Sequence, residues 1–279
     1  MTDWAAVQAD DFAVPEDRPL AELVDELCAM LAARAPEVRD GTAYPILALW
    51  TARGVLDGRL AALGDRMAER LRHEEIQART FAPMILAWVV LRDARTQELA
   101  AECVPRWQSA FAAWWRGEGD LRGWDARLGW LHAVAHGADA LRAFGRSPRL
   151  GATELSGLLD LAVDRLRDDG GYLFAQGEDD RIAYALASVL TRVELSVVDA
   201  TAWLNPVRTA IEAGEPGPAP VWASNTLRTL GSLFVFAERG VRWYDPDTGA
   251  LGDAVPLPHS GAVKERVAEV LRLAWRGLG

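Results

Sequence analysis

Apolar residues recur at helical spacing through almost the whole chain. Pro19 to Arg34 sets the pattern, with Leu20, Leu23, Leu27 and Leu31 along one stripe and Pro19 suited to a first-turn position. Further segments of this kind span 42–53, 57–72, 76–93, 97–116, 128–144, 152–168, 179–194, 199–213, 221–238 and 261–277. Gly54, Gly145 with Pro148, Gly170-Gly171 and the stretch from Glu212 to Pro220 punctuate them. No period-2 run reaches comparable length, so the pattern predicts an all-α protein. Successive helix pairs return about every 40 to 50 residues, the range of HEAT and armadillo repeats, but the pairs share little sequence. The expected architecture is therefore a HEAT-like (armadillo-type) curved array of antiparallel helix pairs, with an irregular bundle as the alternative. Residues 1–16 read as an N-terminal tail and 17–279 as one domain. Within it, 239–279 forms a C-terminal appendage, with a small hairpin near 241–252 ahead of the last helix.

A chain of 279 residues buries enough surface to fold without disulfides or a structural metal. The formal net charge of -10 disfavours nucleic acid as a partner. Cys28 and Cys103, the only cysteines, lie far apart inside helical patterns, which argues against a disulfide framework. The acidic N-terminus lacks the basic flank and apolar run of a signal peptide, and no apolar stretch reaches membrane-spanning length. These features together predict a cytoplasmic protein with no membrane partner.

Candidate chemistry concentrates in Gly129-Trp130-Leu131-His132-Ala133-Val134-Ala135-His136-Gly137-Ala138-Asp139. On a helix, His132, His136 and Asp139 fall within an arc of about 60°, beside the apolar stripe rather than in it. Two imidazoles at i and i+4 with a carboxylate at i+7 can hold a metal, zinc or iron first among candidates, or act without one as a general base with its orienting group. They can also be hydrogen-bonded core histidines. Just upstream, Asp120, Arg122 and Trp124 form a polar loop that can serve as a lip over the histidine face or close as a solvated turn. In Gly177-Glu178-Asp179-Asp180-Arg181 the acids suit a helix N-terminus, while Arg181 offers an anion clamp. Asn225 is polar within a helical stretch, and the chain's 12 tryptophans, Trp124 and Trp130 among them, can wall a pocket.

Other motifs fail. Asp245, Asp247 and Gly249 suggest a calcium loop, but Pro256 stands where the bidentate Glu belongs. His73-Glu74-Glu75-Ile76-Gln77 begins as a zinc-protease helix and ends in Gln.

The combination Asp120, Arg122-Gly123-Trp124, then Gly129-Trp130-Leu131-His132 through His136-Gly137-Ala138-Asp139 resembles a bacterial family of unknown function, domain-of-unknown-function family 2785. Residues around Arg79-Thr80-Phe81, Gly177 to Arg181 and Asn225 are similar too, so the resemblance spans about 20–238. Trp124 stands where the family motif has a tyrosine; Thr80 and Asp180 also depart from it. The resemblance implies an α-helical, HEAT-like fold and no particular activity.

Two functions are then in competition. One is an enzyme acting on a small molecule or modified peptide, with His132 or His136 as base or metal ligand, Asp139 as orienter and Arg181 as clamp. Asp120, Arg122, Trp124, Trp130, Asp179 and Asn225 would contact its ligand. The other is a peptide- or protein-binding scaffold whose histidines are structural. The Asp179 helix is expected to pack beside the histidine helix, so that Arg181 meets Asp120, Asp125 or Asp139.

Overall fold

The computed structural model describes residues 2–215, 217–245 and 249–274. The first half contains α1 (Trp4–Ala9), α2 (Leu20–Met30), α3 (Pro36–Val38), a π-helical turn (Arg39–Ala43), α4 (Tyr44–Ala52), α5 (Leu60–Arg70), α6 (Ile76–Thr96) and α7 (Cys103–Gly117). A two-stranded hairpin, β1 (Trp124–Asp125) and β2 (Gly129–Trp130), leads into α8 (Ala133–Arg146). Then come α9 (Ala152–Arg167), α10 (Glu178–Leu190), α11 (Asp199–Ala202), α12 (Asn205–Glu212), α13 (Val221–Arg239) and α14 (Ser260–Ala274). The all-α expectation holds, and among the described residues only this hairpin forms a sheet.

Several boundaries differ from the periodicity. The segment 97–116 becomes helical only at Cys103, because buried Asp93 accepts the Leu99 N–H at 2.9 Å and holds the preceding turn open. The segment 199–213 divides into α11 and α12, with Pro206 in the first turn of the second. The stretch read as an N-terminal tail carries α1, whose Trp4 is buried and lies 6.1 Å from the Trp50 ring. The hairpin expected near 241–252 is represented by two isolated antiparallel bridges, Val241 with Val255 and Tyr244 with Leu251. Asp247 of the rejected calcium loop and the end of the 261–277 segment lie outside the described residues.

The helices pack in two rows. In one, α4, α6, α8, α10 and α13 are successive neighbours; in the other, α5, α7 and α9 follow one another, and α14 lies against α13 and α12. Contacts at both ends give the first row its polarity. His136, near the start of α8, meets Thr80 near the start of α6, while Arg149, just past α8, meets Asp93 near the end of α6. Arg181 and Arg192 bracket α10 and meet Asp139 and the Gly145 carbonyl of α8 in the same order. Asp179 and Tyr184 meet Arg228 and Phe236 of α13 likewise. The row helices therefore run parallel, and their N-termini gather at one end.

Close approach between the rows depends on glycine. At Gly137 in α8 a Cβ would stand 2.0 Å from Trp115 Nε1, with the indole fully buried. Alanine is ordinarily the better helix former by about 1 kcal/mol. Here Gly137→Ala is expected to destabilise by about 1–3 kcal/mol through overpacking. A urea midpoint equal to or above that of the wild type would contradict this packing. Among the described residues no helix is long and apolar enough to cross a membrane.

Candidate functional site

The site is built at the N-terminal end of the row, where the hairpin enters α8. Asp125 Oδ1 accepts the N–H groups of Arg127 and Leu128 at 2.9 and 3.0 Å, which turns the chain, and Gly129 takes a φ of +70° that few other residues adopt easily. Trp124 pairs with Trp130 across the strands, their rings edge to face with centroids 4.8 Å apart. From beneath, the fully buried Arg39 donates to the Leu128 carbonyl and, at 3.3 Å, to that of Trp130. Its other Nη bonds the Ala33 carbonyl at 2.9 Å, and its guanidinium lies 4.8 Å over the Phe81 ring. The hairpin thus replaces the helical start expected at 128. Helix α8 begins at Ala133, and His132 is its N-cap residue, with a left-handed backbone (φ 47°, ψ 40°).

The i, i+4 spacing still brings the imidazoles together, because the His132 carbonyl accepts the His136 N–H at 2.8 Å as the first helical bond. The ring centroids are 5.7 Å apart. Their surroundings differ. His136 is buried edge-on to Phe81, and its Nδ1 lies 2.9 Å from the Thr80 carbonyl oxygen. Burial first, and then the neighbouring His132, push its pKa well below the usual imidazole value. His132 lies under the Trp130 ring at 4.3 Å, and its Nε2 is buried without a hydrogen-bond partner. Burial, with a smaller push from Arg181, lowers its pKa to about 4. Both rings are therefore neutral at neutral pH.

Facing His132 Nε2, at 4.0 Å, is Oε1 of the fully buried Glu178, which also has no partner. The other oxygen, Oε2, accepts the Gln176 N–H at 2.7 Å. Burial pushes the Glu178 carboxyl above its ordinary range, favouring the protonated form. Gly123 closes the pair from the hairpin side: a Cβ there would stand 2.9 Å from Glu178 Oε1 and 3.1 Å from His132 Cδ2. Its N–H donates to the Tyr172 hydroxyl at 2.9 Å. Glu178 stands within the Gly177 to Arg181 motif but is not one of the candidate site residues read from it, since the helix dipole accounts for an acid in a first turn. The available signal is its position three residues before Arg181, on the same helix face.

Arg181 meets Asp139, donating to Oδ2 at 2.7 Å. Burial raises the Asp139 pKa against the pull of Arg181 and Arg142. Asp139 is thus held by a guanidinium rather than orienting a histidine, and the Thr80 carbonyl faces the His136 nitrogen instead. Asp120 and Arg122 form a two-point pair, and Arg122 also reaches Asp125 at 2.5 Å, so the loop is closed on itself. Trp124 and Trp130 remain 53% and 36% exposed beside it.

Asp179 and Asn225 belong to a second network. Asp179 accepts from Arg228, and the buried Asn225 accepts the Phe174 N–H at 3.0 Å while donating to Asp169 at 3.0 Å and the Tyr172 carbonyl at 2.9 Å. These bonds fix the 169–177 loop, and through Tyr172 they reach Gly123. They support the site without facing it. Among the described residues no group of three or more His, Cys, Asp or Glu side chains is placed to hold a metal ion. The set His132, His136 and Asp139 is not assembled for one, since His136 Nδ1 faces Thr80 and Asp139 faces Arg181.

No curated protein and no solved structure matches the chain. A family model does, over residues 67–235, which takes in α6, the hairpin, both histidines, Glu178, Arg181 and Asn225 but stops short of the N-terminal helices included in the 20–238 span. The chain belongs to the family described as "Protein of unknown function (DUF2785)".

Proposed function

We propose that the protein is an enzyme acting on a small molecule or a modified peptide, with His132 and Glu178 as its proton-transfer pair. The observation that supports this most directly is the facing of two buried, unpartnered polar atoms, His132 Nε2 and Glu178 Oε1, at 4.0 Å. Each unpaired buried polar group costs about 1–3 kcal/mol. Adding a left-handed histidine backbone makes the arrangement unfavourable for folding, a combination that favours a functional role. A neutral imidazole beside a carboxyl biased toward its acid form supplies one base and one acid. The exposed indoles of Trp124 and Trp130 are the surface that a substrate would meet first. Acid–base transfer suits the donors better than metal assistance, because His136 and Asp139 are already engaged. The parallel row supports a HEAT-like array around this site, and two buried, unpaired cysteines suit a reducing, cytoplasmic setting.

The competing reading, a scaffold with structural histidines, makes the opposite stability prediction. Under the enzyme reading, Glu178→Gln keeps the acceptor for Gln176 and relieves the unpartnered carboxyl. Its Tm is expected to equal or exceed that of the wild type, by about 2–4 °C per kcal/mol recovered. Untargeted mass spectrometry of a metabolite extract incubated with each protein then reads turnover, expected with the wild type and absent with the variant. A Tm drop of about 5 °C or more would assign Glu178 to the framework.

A further inference from the structure

At the opposite end of the row, a cavity of about 320 Å³ opens between the C-terminal parts of α6, α8 and α10 and the segment around Trp243 and Tyr244. This volume is at the lower end of the range for small-molecule sites. Trp88, Leu91, Trp243 and Tyr244 supply apolar walls, and Arg92, Arg95, Arg146 and Arg192 reach the lining. In a chain of net charge -10 such a cationic wall runs against the overall balance.

Helix dipoles explain why arginines collect here, since three parallel helices end together. They account for Arg146 standing in the last turn of α8, but not for its lack of an acceptor. Arg192 donates to the Gly145 and Ser147 carbonyls at 3.0 and 2.7 Å and pairs with Glu194 at 2.7 Å. Arg92 grips Asp57 with two nitrogens, and Arg95 is also engaged. Arg146, half-buried in the last turn of α8, has neither a hydrogen bond nor an acidic partner among the described residues. Its guanidinium lies 4.2 Å from the centroid of the Trp243 ring. Stacking occupies the face of the guanidinium and leaves its five N–H donors, which lie in the plane, for an acceptor. One turn earlier, Arg142 stands 5.5 Å over the Tyr184 ring, outside the cavity lining.

We infer that this cavity binds a small organic anion with a flat apolar body, its anionic group on Arg146 and its body against Trp88, Leu91 and Tyr244. An aromatic carboxylate is the simplest such ligand. The site is distinct from the His132–Glu178 pair, because fourteen residues of helical rise separate His132 from Arg146, about 21 Å along the helix axis. It therefore does not depend on the proposed acid–base role.

The test uses 2-naphthoate as probe, 2-naphthylmethanol as its uncharged counterpart and inorganic phosphate as the bare anion, each titrated calorimetrically into the full chain. Naphthoate is expected to bind at least tenfold tighter than either. Arg146→Met should weaken naphthoate at least tenfold, Arg146→Lys should recover part of the loss, and Arg116→Gln, which breaks a surface pair with Asp164, should leave it unchanged. In the absence of probe, Arg146→Met should also raise Tm, since an unpaired, half-buried charge is removed. Absence of naphthoate binding at millimolar concentration would overturn the inference. So would equal binding of naphthoate and naphthylmethanol, or wild-type affinity in Arg146→Met. Phosphate binding as tightly as naphthoate would overturn the requirement for an apolar body. Should Arg146→Met not fold, the comparison of the two naphthalene probes on the wild type decides.

Discussion

Lowering the pH from about 6.5 to about 4 is expected to remove about 3 kcal/mol of folding stability through His132 alone. The unfolded imidazole takes up its proton near 6.5, whereas the folded one resists until about 4. Over that window the unfolded state binds more protons, so stability falls with pH at about 1.4 kcal/mol per unit, and below pH 4 the contribution is fully lost. His136, also depressed by burial, acts with the same sign. Glu178 and Asp139 act with the opposite sign, because their raised folded pKa values let the native state take up protons first. His132→Asn isolates the histidine contribution, since asparagine tolerates the left-handed backbone at this N-cap. Urea unfolding at pH 7 and pH 4.5 should show a smaller stability loss in the variant than in the wild type. Equal losses would mean that His132 is not held neutral by the fold.

Arg39→Met is expected to lower stability by about 3 kcal/mol or more, because it strands buried carbonyl acceptors that lose about 1–3 kcal/mol each when unpaired. Methionine replaces much of the apolar volume but none of the bonds to Ala33, Leu128 and Trp130. A fall in Tm of about 6–12 °C should follow. The damage should also be local. With its clamp removed the hairpin is free to lift, and the exciton couplet of the Trp124–Trp130 edge-to-face pair in far-ultraviolet circular dichroism should weaken. A variant that loses stability but keeps that signal would show the hairpin to be held by other contacts.

Why some of this was legible in the sequence follows from which contacts are local. The cores of α2, α9 and α13 follow the apolar periodicity to within a few residues, because burial of one stripe decides their register. Meeting of Arg181 and Asp139 follows from packing alternate helices side by side. The start of α8 was not legible in this way. Gly129 and Trp130 fit a helical pattern, yet Arg39, ninety residues earlier in the chain, holds the carbonyl groups of Leu128 and Trp130. The local cues, Asp125 capping two N–H groups and Gly129 with positive φ, are short signals beside a strong apolar period. Glu178 was hidden for a different reason: a first-turn acid has a sufficient explanation in the dipole, and only the approach of Gly123 and His132 shows that its carboxyl is turned inward, away from solvent.

The parallel course of the row helices has a consequence for how such a chain can diversify. Connections 118–132 and 168–177 both arrive at the edge where α8 and α10 begin, and both carry irregular backbone, while the connections at the far edge after α6 and α8, 97–102 and 147–151, are compact. Changes at exposed positions of the first two, such as Trp124 and Arg127, alter what surrounds His132 and Glu178, whereas Glu118, Tyr172 and Phe174 in the same connections also tie α6, α9 and α13 together. Variation at the exposed positions of this one rim is thereby separated from the far rim, where compact connections hold the same helices in place.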